Sequence, residues 1–357
     1  MNSFDEFAEA MSQGMLGKND GIPMGYPRLN RHIGIQKSMY FLIGGLTGSG
    51  KTSFVDDTFI LNAYDWSISK KNINNLKLSI IYRSMERNRL YKIAKWTARK
   101  IFLDVGVIVS ISKLLGWAGQ RLTSDEHDLA LSCRDYIEGL EECVTIISGP
   151  ENPVGIAKEL RAYALQNGHI EDLNEFNKIY IPNDPTKITE VVIDTMNLLK
   201  LTKELNTKKL VIDKMSNELQ YTRDFFGFTP VAVSQFNRMI ANPTRLKNND
   251  VEPNLEDFKE SGQSQDDADI VLTLFDPMRY KVTDPSGYDL DKLTDENGAK
   301  YFRSLRVIKN SYGNDDLRLG LAFFGEIGKF KELSKRKDIT DAEYEAVRNK
   351  SFFLDNN

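Results

Sequence analysis

The sequence predicts an α/β protein with an open, mostly parallel sheet and helices on both faces. Three observations support this prediction. Short apolar runs without strict alternation recur between residues 39 and 275, as expected for strands buried on both faces of a parallel sheet. Stretches of helical length separate these runs. A glycine-rich segment, GGLTGSGKTS at residues 44–53, follows the first run and opens a helix.

An amphipathic helix is predicted for residues 1–20, where Phe4, Phe7, Ala8 and Met11 share one face. A free helix of this length is marginal in water. Its apolar face is therefore expected to dock, either on its own domain or on a neighbouring subunit.

The central elements alternate in type along the chain. The predicted strands are residues 39–44, 78–83, 143–148, 190–194, 230–234 and 269–275. The predicted helices are residues 51–66, 86–103, 124–141, 153–166 and 208–226. Thr123 and Glu126 have the spacing of a capping box. The polar stretch 168–189 is predicted to be a surface loop, and residues 301–309 with 317–324 to be a β-hairpin.

Composition limits the class of protein. The chain has 357 residues, 41% hydrophobic and 27% charged, which is typical of a globular protein with a sizeable core. A net charge of −4 does not indicate nucleic-acid binding, although a ring or groove can concentrate basic residues locally. The two cysteines, Cys133 and Cys143, fit reduced thiols better than a disulfide framework. We expect a cytoplasmic protein with no membrane partner, because no apolar run approaches the ~20 residues of a membrane span.

Residues 44–53 have the spacing of a phosphate-binding P-loop in its usual strand–loop–helix context. Glycines there let backbone N–H groups and the helix N-terminus surround phosphate oxygens. Lys51 is expected to reach the β- and γ-phosphates, and the Thr52 hydroxyl to hold Mg²⁺. The predicted nucleotide-binding residues are Gly45, Thr47, Gly48, Ser49, Gly50, Lys51, Thr52 and Ser53.

Three later strands end in polar residues, and in a parallel sheet such ends face the ligand crevice. Glu86 follows LSIIYRSM and can polarise a water, although acidic residues also favour helix N-termini for structural reasons. Asp194 ends EVVID in the form of a Walker B carboxylate, and strand-end aspartates are also common turn formers. Gln235 ends PVAVSQ and can sense a γ-phosphate.

In this order, the segments resemble the motor domain of DnaB-type replicative helicases within the RecA-like P-loop ATPases. The resembling segments are GIPMGYPRLNRHIGI, GGLTGSGKTS, SME, VVIDTMNLL, VSQFNR, LEDFKESGQSQDDADIVLTLF and RVIKNSYG. The sixth of these is the most specific, with its Lys-Glu-Ser-Gly followed by Asp-Ala-Asp and a strand. The resemblance implies a docking or linker helix at residues 1–20, a RecA-like motor domain at 21–330 and a charged tail at 331–357.

The resemblance implies an ATP-dependent replicative DNA helicase that forms a six-membered ring and translocates on single-stranded DNA. ATP and Mg²⁺ are the implied cofactors, and a primase or a loader is a further implied partner. The family's large N-terminal domain has no counterpart beyond the short helix, so we expect a short, phage-encoded version. Glu86 would activate water, Asp194 and Thr52 would hold the metal, Gln235 would sense the γ-phosphate, and Lys309 would reach the adjacent subunit's site.

By the same resemblance, residues 199–209 and 238–250 would be the loops that contact DNA. Flexible loops with several cations can bind a nucleic-acid backbone, although composition alone is equally consistent with solvated surface loops. The predicted DNA-binding cations are Lys200, Lys203, Lys208, Lys209, Arg238, Arg245 and Lys247.

One departure from the family pattern concerns the arginine finger, because Lys309 is followed by Asn310 and Ser311 where the family has arginine two residues after lysine. An arginine finger is worth ~10³ or more in rate. The serine implies weak turnover, or compensation by Lys309, Arg306, Arg318 or a ring partner. The alternative function is a RecA- or RadA-like ATPase with slow hydrolysis that acts as a recombination mediator, loader or structural ring.

Overall fold

The computed structural model of the chain describes residues 3–174, 177–237, 240, 242–248, 251–258, 262–284 and 286–354. Its strands are β1 (Ile22–Pro23), β2 (Gly34–Ile35), β3 (Phe41–Gly45), β4 (Lys77–Ser84), β5 (Val144–Ser148), β6 (Gly168–Asn174), β7 (Asn177–Pro182), β8 (Lys187–Asp194), β9 (Thr229–Gln235), β10 (Ile270–Phe275), β11 (Phe302–Asn310), β12 (Arg318–Phe324) and β13 (Lys329–Glu332). Its helices are α1 (Ser3–Met15), α2 (Lys51–Val55), α3 (Asn62–Ser67), α4 (Arg89–Val105), α5 (Ile111–Leu114), α6 (Ser124–Ser132), α7 (Arg134–Cys143), α8 (Pro153–Gln166), α9 (Lys208–Phe226), α10 (Pro243–Lys247), α11 (Gln263–Asp267), α12 (Pro277–Tyr280) and α13 (Asp341–Arg348).

Within the described residues, one nine-stranded sheet has the order β13-β12-β11-β10-β3-β9-β8-β4-β5. The strands from β10 to β5 in this order are parallel. Strands β11, β12 and β13 extend the sheet in antiparallel pairing. The α/β class, the mostly parallel sheet and the C-terminal hairpin are therefore confirmed. Each predicted strand of the parallel part agrees with an observed one to within three residues at either end.

Helices cover both faces of the sheet because its central strands are apolar on both faces. On one face α2, α4 and α7 bury Phe54, Trp96 and Leu140. On the other face α8 and α9 bury Leu160 and Met215. Burying apolar side chains on two faces is the main stabilising contribution to a parallel sheet.

The helix predicted for residues 51–66 contains a π-helical segment, Asp56–Leu61, between α2 and α3. Sequence periodicity does not predict this change of helical pitch, which is typical of short insertions near functional sites. Two consecutive acidic residues of the segment, Asp56 and Asp57, are both buried. Their side chains therefore need partners inside the protein.

The helix predicted for residues 124–141 is divided into α6 and α7 at Cys133. Its predicted capping box is present at the start of α6. Glu126 N donates to Thr123 Oγ1 (3.2 Å), and Thr123 N donates to Glu126 Oε2 (2.9 Å). The described part of the chain contains no helix that is both long and apolar enough to cross a bilayer.

The prediction of a surface loop at residues 168–189 is wrong. Strands β6 and β7 form an antiparallel hairpin there, and β8 begins at Lys187. Most of β6 is exposed, so it lacks the buried apolar side chains that mark a strand in sequence. The base of the hairpin is fixed by Tyr180, whose ring packs edge-to-face on Phe226 and whose hydroxyl donates to Ala164 O (2.9 Å).

The C-terminal residues fold back onto the antiparallel strands, which differs from the charged tail that the sequence analysis expects. Tyr344 and Val347 of α13 are buried in an apolar cluster with Phe324 of β12. Phe353 joins the same cluster, with its ring centroid 5.5 Å from that of Phe324. These few apolar residues are spaced among many charged ones. The composition of the segment therefore does not indicate that they are buried.

Helix α1 presents its apolar face to solvent in the single chain. Phe4, Phe7 and Met11 are 70%, 57% and 47% exposed. The rings of Phe4 and Phe7 contact each other edge-to-face. These three side chains do not pack on their own domain, and docking on a neighbouring subunit stays a prediction.

A glutamate without a hydrogen-bond partner lies in the middle of the sheet. Glu190 of β8 is fully buried, and neither carboxylate oxygen has a partner among the described residues. Its neighbours in register are Ile80 of β4 and Thr229 of β9. Burial raises the pKa of Glu190 well above its usual value, because the charged form loses hydration and gains no counter-ion.

We expect Glu190→Met to stabilise the protein. Because its pKa is raised in the folded state, the native protein holds the proton more tightly than the unfolded chain. The wild type therefore loses stability as the pH rises above the ordinary titration range of glutamate. Removing the buried carboxyl should increase the free energy of unfolding by about 1–3 kcal/mol. The increase should be larger at pH 8 than at pH 5. Urea unfolding followed by circular dichroism at both pH values measures the difference.

The control is Glu138→Met on α7, whose side chain is 62% exposed. A surface change of this kind should alter stability by less than about 0.5 kcal/mol. Unchanged or reduced stability of Glu190→Met at pH 8 would contradict the assignment of a buried, unpaired carboxyl.

Candidate nucleotide-binding site

The register of the parallel strands brings several polar residues to one edge of the sheet. Gly45 at the end of β3 pairs with Gln235 at the end of β9. Ser84 at the end of β4 pairs with Asp194 at the end of β8. Because these strands run in the same direction, the P-loop after β3 and Glu86 after β4 leave the sheet from the same edge.

One cavity at this edge combines the P-loop with residues from the neighbouring strands. It is lined by Thr47, Gly48, Gly50, Lys51, Thr52, Ser53, Glu86, Asp194, Thr195, Val233 and Gln235. The structure thus brings Glu86, Asp194 and Gln235 to the same space as the P-loop. Gly45 and Ser49 do not line the cavity. Gly45 O accepts a hydrogen bond from Lys51, and Ser49 is buried.

Two positions of the P-loop require glycine. Gly48 has φ = 80° and Gly50 has φ = 99°, a region that residues with a side chain rarely adopt. A Cβ at Gly48 would also lie 2.1 Å from Arg279 Nη1. Gly50 is the residue before α2, so the first N–H groups of that helix open toward the cavity, where they favour an anion.

Lys51 is held at the cavity by its own loop. Its Nζ donates to Gly45 O (2.8 Å) and to Leu46 O (3.0 Å). Burial lowers the pKa of Lys51 to about 8, and the nearby carboxylates of Asp194 and Glu86 partly offset this effect. A phosphate in the cavity would favour the charged ammonium further. The side chain is therefore suited to bind phosphate oxygens.

Thr52 and Asp194 form the pair that fits a magnesium ion. Thr52 Oγ1 donates to Asp194 Oδ1 at 3.0 Å, and both residues line the cavity. A hydroxyl and a carboxylate are hard oxygen ligands of the kind that Mg²⁺ prefers, with waters and nucleotide phosphates as its other ligands. In the described ranges, no cluster of three or more His, Cys, Asp or Glu side chains could hold a metal without such a nucleotide.

Glu86 and Gln235 approach the P-loop from two different strands. Glu86 is exposed in the turn between β4 and α4. This turn is fixed to the end of β8, because Met85 N donates to Asp194 O (2.8 Å). The Gln235 side chain donates to Thr47 Oγ1, which connects the end of β9 to the P-loop.

Sequence reasoning missed two arginines that contact the P-loop backbone. Arg279 donates to Thr47 O, and Arg303 Nε donates to Ser49 O (2.8 Å). Arg303 also pairs with Asp276 at 3.3 Å. The positions of Arg279 and Asp276 just after β10 were a usable signal, since β10 lies beside β3 in the sheet. Arg303 lies within β11 and gave no such signal.

The family model described as the DnaB-like helicase C-terminal domain matches residues 156–332, about half of the chain. The matched span begins after the P-loop and includes the strands that carry Asp194, Gln235 and Lys309. The chain contains a DnaB-type helicase motor domain.

Curated relatives of this motor domain match over shorter lengths. The replicative DNA helicase DnaB of Mycobacterium intracellulare is 32% identical over 101 residues, 28% of this chain and 17% of that protein. The replicative DNA helicase DnaB of Mycobacterium leprae (strain TN) is 30% identical over 106 residues, 30% of this chain and 17% of that protein. The chain therefore matches less than a fifth of the length of these relatives.

Two solved structures share the fold of the DnaB-type motor domain. A structure of a DnaB-like replicative helicase and its interactions with primase has a TM-score of 0.64 and 20% identity, covering 88% of this chain and 64% of that chain. A solved ATPase domain has a TM-score of 0.68 and 20% identity, covering 94% of this chain and all of that one. At 20% identity, the likeness to these two structures shows the fold alone.

Lys309 of the motor domain lies away from its own cavity. Lys309 pairs with Val271, near the start of β10. The P-loop follows β3, whose last residue, Gly45, pairs with Leu274 near the end of β10. At about 3.3 Å per residue, these two positions are roughly 10 Å apart. Lys309 Nζ donates to Gln265 O (2.8 Å) and Asp266 O (2.9 Å). The structure does not bring Lys309 to the nucleotide cavity of its own chain.

The two arginines considered as replacements for the finger are engaged within the motor domain. Arg318 pairs with Glu252 at 3.0 Å, and Arg306 pairs with Asp316 at 3.2 Å. Each arginine also lies within 4 Å of the other's partner. Ser311 is exposed in the turn after β11. In this arrangement the guanidinium groups of Arg306 and Arg318 are ion-paired within their own chain.

The two segments expected to contact DNA both come after the same ends of parallel strands. They follow β8 and β9, which are neighbours in the sheet. Leu199 and Leu205 of the first loop and Leu246 of the second pack on the apolar cluster beneath α8 and α9. One buried cluster therefore supports described residues of both loops.

The cations of these loops differ in their surroundings. Four of them are exposed: Lys200, Lys203, Lys209 and Lys247. Lys208 Nζ donates to Leu199 O (2.8 Å), which closes the first loop. Arg245 is ion-paired with Asp257 and holds the second loop in place. Arg238 lies outside the described residues.

Proposed function

We propose that the chain is the motor of an ATP-dependent replicative DNA helicase that assembles as a homo-oligomeric ring and moves along single-stranded DNA. One observation carries the proposal, namely the cavity that the P-loop shares with Glu86, Asp194 and Gln235. The family match and the DnaB relatives support a helicase and do not favour a recombination mediator, loader or structural ring.

In this proposal, hydrolysis of ATP is divided among separate side chains. Lys51 and the P-loop backbone bind the phosphates. Thr52 and Asp194 hold Mg²⁺, which supplies charge neutralisation at the β- and γ-phosphates. Glu86 orients the attacking water and accepts its proton.

Gln235 is the proposed connection between the nucleotide and the DNA. Its amide is hydrogen-bonded to Thr47 in the P-loop, and the loop at residues 238–250 begins three positions after it. A γ-phosphate would replace Thr47 as the partner of this amide. The resulting shift at the end of β9 would be passed to the loop, and hydrolysis would reverse it.

DNA would be held mainly through its phosphates. The exposed lysines of the two loops offer point charges, which bind phosphates without reading bases. Binding should therefore weaken steeply with salt and show little sequence preference.

Assembly into a ring, proposed to be a hexamer, would use two features of the chain. The exposed apolar face of α1 would dock on a neighbouring subunit, which would bury Phe4, Phe7 and Met11. Lys309 and the turn at Ser311 would approach the neighbour's nucleotide. A primase is a proposed partner, since one similar structure is described with primase, and a loader remains a second candidate.

The proposal is tested by phosphate release from Mg²⁺-ATP with and without single-stranded DNA. We expect hydrolysis that DNA stimulates, and we expect Lys51→Ala to reduce it by about 100-fold or more, because the charge at the transferred phosphate is lost. Lys178→Ala in the exposed hairpin is the control and should leave the rate unchanged.

A rate of ATP hydrolysis that does not change with DNA and is not reduced by Lys51→Ala would count heavily against a helicase motor. The mass of the assembly with ATP and DNA gives an independent result. A single copy under all conditions would contradict the ring.

A further inference from the structure

Three buried side chains form a polar relay next to Asp194: Asp56, Lys92 and Tyr82. All are almost completely buried, and none lines the nucleotide cavity. Asp194 presents one oxygen to Thr52 and the other to this relay, since the Tyr82 hydroxyl lies 3.0 Å from Asp194 Oδ2. No sequence motif pointed to the relay, whose members come from the π-helical segment, α4 and β4.

The hydrogen bonds of the relay follow from its donors and acceptors. Lys92 Nζ donates to both carboxylate oxygens of Asp56, at 2.9 and 3.2 Å, and to the Tyr82 hydroxyl. The Tyr82 hydroxyl has a single proton and two acceptors within reach, Asp56 Oδ1 at 2.8 Å and Asp194 Oδ2 at 3.0 Å. Asp56 already accepts two hydrogen bonds from the ammonium of Lys92. We therefore assign the tyrosine proton to Asp194 Oδ2.

The ion pair with Asp56 also controls where the ammonium lies. Lys92 Nζ is 3.6 Å from Asp194 Oδ2, farther than from Asp56. Without Asp56, the nearest carboxylate for this buried cation would be Asp194. A lysine paired with Asp194 would compete with a metal ion for the same negative charge.

We propose that Tyr82, held by the Lys92–Asp56 ion pair, is a positioning residue that orients Asp194 and thereby sets the affinity of the nucleotide site for Mg²⁺. The inference rests on the proposed nucleotide-binding function. Hydrogen bonds to the second atom of a metal ligand fix its orientation, and their loss typically costs 10–100-fold in metal affinity. Tyr82 does this without adding charge beside the metal.

Tyr82→Phe tests the proposal, because it removes the hydroxyl and keeps the ring. The measurement is binding of a fluorescent, non-hydrolysable ATP analogue in EDTA and across a Mg²⁺ titration. We expect the half-saturating Mg²⁺ concentration to rise about tenfold, while the affinity in EDTA stays unchanged. A purely structural role would lower the melting temperature without moving this midpoint.

Tyr26→Phe is the matched control. Tyr26 is also fully buried, and its hydroxyl contacts Asp57 (3.3 Å) and Thr58 (3.0 Å) in the adjacent part of the core. We expect a similar loss of stability and no change in the Mg²⁺ midpoint. An unchanged midpoint for Tyr82→Phe, or an equal shift for Tyr26→Phe, would overturn the proposal.

Asp56→Asn is a second test that does not depend on Tyr82→Phe folding. It frees Lys92 to pair with Asp194, so we expect the Mg²⁺ midpoint to rise, and a wild-type midpoint would overturn the role of the ion pair. If the wild type binds the analogue no better with Mg²⁺ than in EDTA, the proposed metal site itself fails. If the wild type depends on Mg²⁺ and both variants match it, only the present inference fails.

Discussion

Replacing Glu86 with glutamine is expected to reduce ATP hydrolysis by about 10²–10⁴-fold while leaving nucleotide binding intact. Glutamine keeps the size of the side chain and can still hydrogen-bond, but it cannot accept a proton from water. Glu86 lines the cavity together with Lys51 and Asp194, and the turn that carries it is bonded to the end of β8. Phosphate release at saturating Mg²⁺-ATP measures the rate, and the fluorescent analogue measures binding.

Glu138→Gln on the exposed surface of α7 is the matched control and should hydrolyse ATP at the wild-type rate. Glu86 also has an alternative, structural explanation, because acidic side chains stabilise the start of a helix. Under that explanation, Glu86→Gln would have a small effect on stability and none on turnover. A rate for Glu86→Gln within about threefold of the wild type would support that explanation, since general bases contribute far more.

Replacing Ser311 with arginine is expected to raise DNA-stimulated turnover by about 10- to 10³-fold. Ser311 is exposed two residues after Lys309, at the end of the sheet remote from its own P-loop. An arginine there would place a guanidinium near the γ-phosphate of the next subunit in a ring. The ion pairs of Arg306 and Arg318 within the chain leave that position without an evident arginine substitute.

Mixed rings make this test specific for action between subunits. A chain with both Ser311→Arg and Lys51→Ala is expected to hydrolyse little ATP itself but to supply its arginine to a wild-type neighbour. Mixing it with the wild type should raise turnover per wild-type subunit, and Asn314→Arg in the same turn is the control for added charge. No gain from Ser311→Arg would mean that Lys309 or another cation already performs this role.

The strands of the site could be predicted from sequence because each is a short apolar run with a polar residue at its end. This pattern located Asp194 and Gln235, and the spacing of glycines and lysine located the P-loop. The common edge of the sheet then followed from the parallel direction of the strands. The resemblance to a known family supplied the role of Glu86, which local composition left open.

The groups around the site could not be predicted in the same way. Tyr82, Lys92 and Asp56 meet only because a π-helical segment, a strand and a helix pack together, and no short sequence spacing records that contact. Arg303 reaches the P-loop through the register of β11, which a sequence pattern does not fix. The hairpin β6–β7 was missed because its side chains are largely exposed and carry no core signal.

Strand β11 has Arg303 bonded to the P-loop at one end and Lys309 at the other. Six residue steps of extended chain lead from one to the other, a span of roughly 20 Å. Strand β11 pairs with β10 over this length, with one irregularity in register, and with β12 from Phe302 to Arg306. In the proposed ring, each β11 would connect two consecutive nucleotide sites. The order of ATP hydrolysis around the ring would then be set by movements of these strands.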